Sequence, residues 1–134
     1  MSVPSRLGTL NRMTDAEAIE RSWDEPWYRV RTDRFEVSFL PEPGEDLDTV
    51  CNVDVFVRLT EDGSRWSATV FTLAEVERLM ERWARTDEAQ GGRYFWCSDG
   101  LIVRDPGIDS MTRVLIGLLD SGELRDVLQP LGEE

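Results

Sequence analysis

Hydrophobic and polar positions change period several times along this chain, and each change marks an element. Residues 1–13 mix Pro, Gly, Ser and Arg without repetition and read as a flexible lead-in. Thr14-Asp15-Ala16-Glu17 then fits a capping box, with the Thr hydroxyl available to the third amide and the Glu reaching back. A short helix is predicted from there to about Arg21, and Pro26 stops anything longer. From Phe35 the period is two, with Phe35, Val37 and Phe39 alternating against Glu36 and Ser38, the mark of a half-buried strand. Pro41, Pro43 and Gly44 end it in a loop. Alternation resumes through Val53, Val55, Val57 and Leu59, and again after Asp62-Gly63 as Trp66, Ala68 and Val70. A two-residue hairpin loop at Asp62-Gly63 sets Leu59 opposite Trp66, Val57 opposite Ala68 and Val55 opposite Val70, leaving one face wholly apolar.

The period then lengthens. Thr72-Leu73-Ala74-Glu75 repeats the capping-box pattern, and Leu73, Val76, Leu79, Met80 and Trp83 share one helical face. Glu75, Glu77, Arg78, Glu81, Arg82 and Arg85 make the expected solvated face. Gly91-Gly92 terminates this helix. A second Asp-Gly pair, Asp99-Gly100, predicts a second hairpin between residues 94–97 and 101–104. Ile108, Met111, Val114, Leu115, Leu118 and Leu119 form another amphipathic helix, and Leu124, Val127 and Leu128 a short last one before Pro130. Strands joined by tight turns and followed by helices imply an α+β fold. The expectation is an antiparallel sheet of about five strands with helices packed on one face, a two-layer sandwich. Residues 14–130 are read as a single domain, and 131–134 as a frayed end.

Composition narrows the function classes. The chain has 134 residues, enough for one core without disulfide or metal staples. No apolar run approaches the roughly 20 residues that span a bilayer, and the first residues lack the apolar stretch of a signal peptide, so a cytoplasmic protein is expected. Cys51 and Cys97 are read as reduced thiols. The 27 acidic residues outweigh 15 basic ones, giving a formal net charge of −12. Such a field disfavours nucleic acid and anionic membranes and favours cationic partners. Every basic residue is Arg. The chain has no His, which removes the usual general base, the Ser-His and Cys-His pairings and the commonest zinc ligand.

Local chemistry is sparse beside that background. Asp99 and Asp105 are accounted for by a turn and a helix start, so neither is read as catalytic. Asp46-Leu47-Asp48 with Asp54 lacks the ligand spacing and closing Glu of a calcium loop. Cys97 lies among Tyr94, Phe95 and Trp96 with no neighbouring cation, as an inert thiol does. Gly91-Gly92 lacks the Lys and spacing of a phosphate loop. Neither a catalytic, cofactor-binding nor metal-binding set is nominated, and no cofactor is expected. Two features remain. Between Glu42 and Asp62, seven carboxylates (Glu42, Glu45, Asp46, Asp48, Asp54, Glu61 and Asp62) are opposed only by Arg58 and suit a basic partner. Five Trp residues exceed what so small a sheet hides, so one or two near that loop are expected to anchor an interface.

The run Val57-Arg58-Leu59-Thr60-Glu61-Asp62-Gly63-Ser64-Arg65-Trp66-Ser67-Ala68-Thr69-Val70-Phe71-Thr72, with the later Gly91-Gly92-Arg93-Tyr94-Phe95-Trp96, resembles small bacterial proteins similar to the immunity proteins of polymorphic toxin systems. The resemblance spans about a third of the chain and rests on turns, strands and a helix cap, so it speaks to fold before activity. It implies a cytoplasmic, stoichiometric inhibitor of a basic partner such as a nuclease toxin. Two other readings stand beside it. One is a small-molecule or catalytic domain with a Trp- and Arg-lined pocket near Arg93, Tyr94 or Asp99. The other is a structural homodimer that buries Phe56 and Phe71.

Overall fold

A computed structural model of the chain describes residues 19–132. The capping box at 14–17 and the lead-in at 1–13 lie outside the described residues. Five strands follow one another as a meander: β1 (Glu20–Asp24), β2 (Trp27–Arg31), β3 (Phe35–Leu40), β4 (Asn52–Leu59) and β5 (Arg65–Thr72), each antiparallel to the one before. The outer edge of β5 is closed by two short strands, β6 (Gly100–Val103), parallel to it, and β7 (Gln129–Pro130), antiparallel to it. The α+β fold follows, with seven strands in the sheet.

Alternation builds the core. Phe35, Val37 and Phe39 of β3 and Val53, Val55, Val57 and Leu59 of β4 are all buried, each contributing on the order of 1.5–3 kcal/mol by leaving water. Over them lie α2 (Ile108–Ser121) and α3 (Leu124–Val127), through Ile108, Met111, Leu115 and Leu124. These helices and the sheet form the two-layer sandwich. Gly122 ends α2 at φ 81°, a left-handed conformation that Gly adopts without steric cost. The helix α1 (Leu73–Thr86) gathers a second, smaller cluster of Phe71, Val76 and Leu79 with Trp83 and Phe95. Phe71 follows Val70 in β5 and so points away from the main core.

Four local expectations are corrected. Glu20 and Arg21 are strand, not helix: β1 is exposed at every position, so it carries no alternation to read. The hairpin between β4 and β5 is also longer than two residues. Leu59 N donates to Ser64 O at 2.9 Å and Gly63 N to Leu59 O at 2.8 Å, which leaves residues 60–63 as the loop. Val57 therefore pairs with Trp66, Val55 with Ala68 and Val53 with Val70. The register moves by two, an even shift, so the apolar face is preserved while every partner changes.

The second hairpin does not form. The turn exists, with Gly100 N donating to Cys97 O at 3.2 Å, but it delivers β6 alongside β5 instead of back onto residues 94–97. Finally, Glu75 is buried at 5% exposure, not solvated. Thr72 caps α1 as expected, its hydroxyl accepting from Glu75 N at 3.1 Å. The Glu does not reach back, because Thr72 N is already bonded to Cys51 O at 3.0 Å. Its carboxylate instead accepts two bonds from Arg78, at 2.9 and 2.7 Å, and one from the Cys51 thiol at 3.5 Å. Beyond α1 the chain makes one turn, Ala89–Gly92, with positive φ throughout, and Gly92 lies so close over the Met80 carbonyl that no side chain fits there.

Candidate functional site

The register that pairs Tyr28 with Phe39 also brings the β1–β2 turn beside the start of the 41–49 loop. Between them lies an open depression of about 510 Å³, lined by Trp23, Glu25, Pro26, Leu40, Glu42, Glu45 and Asp54 with Pro41, Pro43 and Gly44. Trp23 is 51% exposed and stands edge-on to Tyr28 at 5.1 Å between ring centres, so its position is held while much of its ring faces water. Glu45 accepts from Glu42 N at 3.0 Å, and Glu45 N donates to Glu42 O at 3.0 Å; this tight turn orients both side chains. Asp54 accepts from the Thr69 hydroxyl at 3.0 Å.

Among the described residues no basic side chain lines the depression. Arg29, on the adjoining strand, is engaged by Asp24 at 2.6 Å and by the Ser38 hydroxyl at 3.1 Å. Four carboxylates are thus gathered around an indole with no cation among the described residues of the lining. A guanidinium or ammonium entering there donates charge-assisted hydrogen bonds to the carboxylates and meets the ring face of Trp23, the latter adding about 0.5–2 kcal/mol.

Of the seven carboxylates nominated from sequence, Glu42, Glu45 and Asp54 meet in this cleft. Asp46 and Asp48 belong to the following turn, where Asp46 accepts from Asp48 N at 2.9 Å. That turn docks on the start of α2, with Ile108 N donating to Leu47 O at 2.9 Å. Glu61 and Asp62 sit beyond the opposite end of β4, roughly 20 Å from Asp54 along the strand direction. The acidic stretch is therefore two patches, not one. Asp62 is already committed: it accepts from the Ser64 hydroxyl at 2.7 Å, from Ser64 N at 2.9 Å and from Arg125 at 2.9 Å. The Ser64 bonds first and then Arg125 lower its carboxyl to about 2. Glu25 and Pro26 were missed because their approach depends on a β1–β2 hairpin that leaves no periodic trace.

Other candidates resolve into structural parts. Asp99 shares the single Thr69 hydroxyl proton with Asp54, at 3.2 Å, and accepts from the Cys97 thiol at 3.4 Å, and β6 separates it from Asp105. Cys51 and Cys97 are free, and burial pushes both thiols up, Cys51 further helped by the charge of Glu75. Arg93 and Tyr94 are exposed. Phe71 shares a sheet face with Phe56 but is covered by α1, whereas Phe56 stays half-buried. Among the described residues no group of three or more Cys, Asp or Glu is arranged to hold a metal ion, and no helix is long and apolar enough to cross a membrane. No family model, curated protein or solved structure matches this chain, so its functional reading rests on the geometry of the acidic cleft.

Proposed function

We propose that this chain is an acidic protein-binding module, a bacterial cytoplasmic inhibitor of immunity type that captures a basic partner such as a nuclease toxin in stoichiometric complex. The observation that supports the reading is the cleft itself, in which Glu25, Glu42, Glu45 and Asp54 line a depression with the half-exposed Trp23 and, among the described residues, no cation. An Arg or Lys of the partner fills it, neutralising carboxylates that otherwise repel one another, while the net charge of −12 speeds the encounter. Such a module inhibits by occupying the cationic surface with which a nuclease holds phosphate.

The test is capture of the partner from the native host, followed by titration of the purified pair at rising salt. Affinity falls steeply with salt in the intact protein, and E42Q/E45Q/D54N flattens that dependence by slowing association. W23A weakens the complex about thirtyfold, as loss of a central aromatic anchor does. A partner of neutral surface, bound equally at low and high salt, would sink the proposal. So would a complex that tolerates W23A and is weakened instead by E61Q/D62N at the far end of β4.

A further inference from the structure

The sheet face turned away from α2 and α3 carries a transverse row of charges. The strand registers set Glu20, Arg31, Glu36, Arg58 and Arg65 side by side across β1 to β5. Signs alternate through the first four: Arg31 bonds Glu20 at 3.3 Å and Glu36 at 2.6 Å, and Arg58 lies 3.6 Å from Glu36. The alternation then fails, because Arg58 is directly opposite Arg65, an arrangement of like charges that a sheet disfavours. Glu36 is shared between Arg31 and Arg58. Among the described residues, the Arg65 side chain bonds only the Gly132 carbonyl, at 3.1 Å. The row thus ends, among the described residues, in two guanidiniums whose one carboxylate neighbour, Glu36, is already held closer by Arg31, in a molecule with nearly two acids per base.

Beside this pair the next row supplies an apolar floor. Phe56 is half-buried there, with Trp27 edge-on at 5.5 Å. An open depression of about 290 Å³ lies here, bordered among others by Trp27, Arg29, Phe56, Arg58, Arg65 and Leu131, and also by Glu36, whose charge is engaged by Arg31. Arg29 is committed to Asp24 and Ser38, so the cationic capacity of the depression belongs to Arg58 and Arg65.

We propose that this depression binds a small planar aromatic oxyanion, an aryl phosphate or aryl carboxylate, whose anionic group bridges Arg58 and Arg65 while its ring lies against Phe56 and Trp27. Two guanidiniums on adjacent strands match the spread oxygens of such a group better than a single Lys would. The overall field of the molecule repels anions, so the charge pair alone holds a bare ion weakly, and the ring contact supplies the remainder. Neither half of the ligand suffices by itself. The site is independent of the acidic cleft in residues, sign and ligand.

The experiment is titration of the ¹⁵N-labelled full chain with phenyl phosphate, benzoate, inorganic phosphate and benzyl alcohol, following the Trp27 indole and the amides of Phe56, Arg58 and Arg65. Phenyl phosphate or benzoate shifts these signals saturably, and R58Q or R65Q weakens the binding about tenfold each. Inorganic phosphate and benzyl alcohol each bind at least about tenfold more weakly than the ligand that joins both parts. R65E completes the alternation of the row, so it abolishes binding while raising the melting temperature, which separates loss of the site from loss of the fold. Absence of a saturable shift with both aryl anions overturns the proposal. Equal binding of inorganic and phenyl phosphate, or unchanged binding in R65E, overturns it as well.

Discussion

Replacing Glu75 by Gln removes one charge and almost no volume, and the surroundings of the carboxylate set the cost. Glu75 is 5% exposed and accepts two bonds from Arg78 and one from the Cys51 thiol. A Gln there offers one oxygen in place of two and turns an N–H₂ toward other donors. Hydrogen bonds to a charged group contribute about 1.5–3 kcal/mol. The Arg78 side chain is 60% exposed, so solvent screening holds the loss toward the lower part of that range, and about 2 kcal/mol is expected at pH 7. For a domain of this size that is a drop of about 8 °C in Tm. The effect depends on pH. The Arg78 bonds hold the Glu75 carboxyl below its ordinary value against the opposing effect of burial. Its folded pKa is thus lower than its unfolded one, and the stabilisation is fully present above the unfolded value and lost as pH falls through the folded one. Urea unfolding of the native and E75Q proteins at pH 7 and at successively lower pH should therefore give curves separated at pH 7 that draw together as the carboxyl is protonated in the folded state. Curves that coincide at pH 7, or stay separated by the same amount in acid, would refute the reasoning.

Two further outcomes follow from single contacts. Because the Ser64 hydroxyl bond is the largest single cause that holds the Asp62 carboxyl at about 2, S64A raises that pKa even though the backbone N–H of residue 64 still donates; carboxyl ¹³C titration checks the rise, and an unchanged value refutes it. Thr112 is buried with its hydroxyl unpartnered, so T112V, which keeps the shape and removes the polar atom, stabilises the fold by about 1 kcal/mol in thermal or urea unfolding.

Much of the architecture was legible because the core strands alternate strictly. Phe35 to Phe39 and Val53 to Leu59 are read as half-buried strands and are so, since period two and burial on one face are the same fact. The helix caps were equally local: Thr72 caps α1, and Gly122 ends α2. Elements whose signal lies in their partners were not legible. β1 is polar and exposed throughout, and only its pairing with β2 makes it a strand. Asp99-Gly100 carries the same turn chemistry whether the chain returns on itself or continues to another strand, and here β5 captures it. The candidate site divides the same way. Glu42 and Glu45 are joined by a tight turn that sequence can express, whereas Glu25, Trp23 and Asp54 reach them through strand pairing. The breadth of the acidic stretch was overread because β4 is long and carries its two ends apart.

The double closure of β5 has a consequence for how the protein is made. The five-strand meander draws on neighbouring stretches of chain, so it can assemble as soon as Thr72 has left the ribosome. At that moment the outer edge of β5 still lacks both of its partners, one of which arrives with Gly100 and the other with Gln129 and Pro130. An unpaired strand edge is a template for other chains. The nascent polypeptide carries that hazard through more than fifty further residues, and loses it only when two segments distant from each other in the chain settle end to end on one strand.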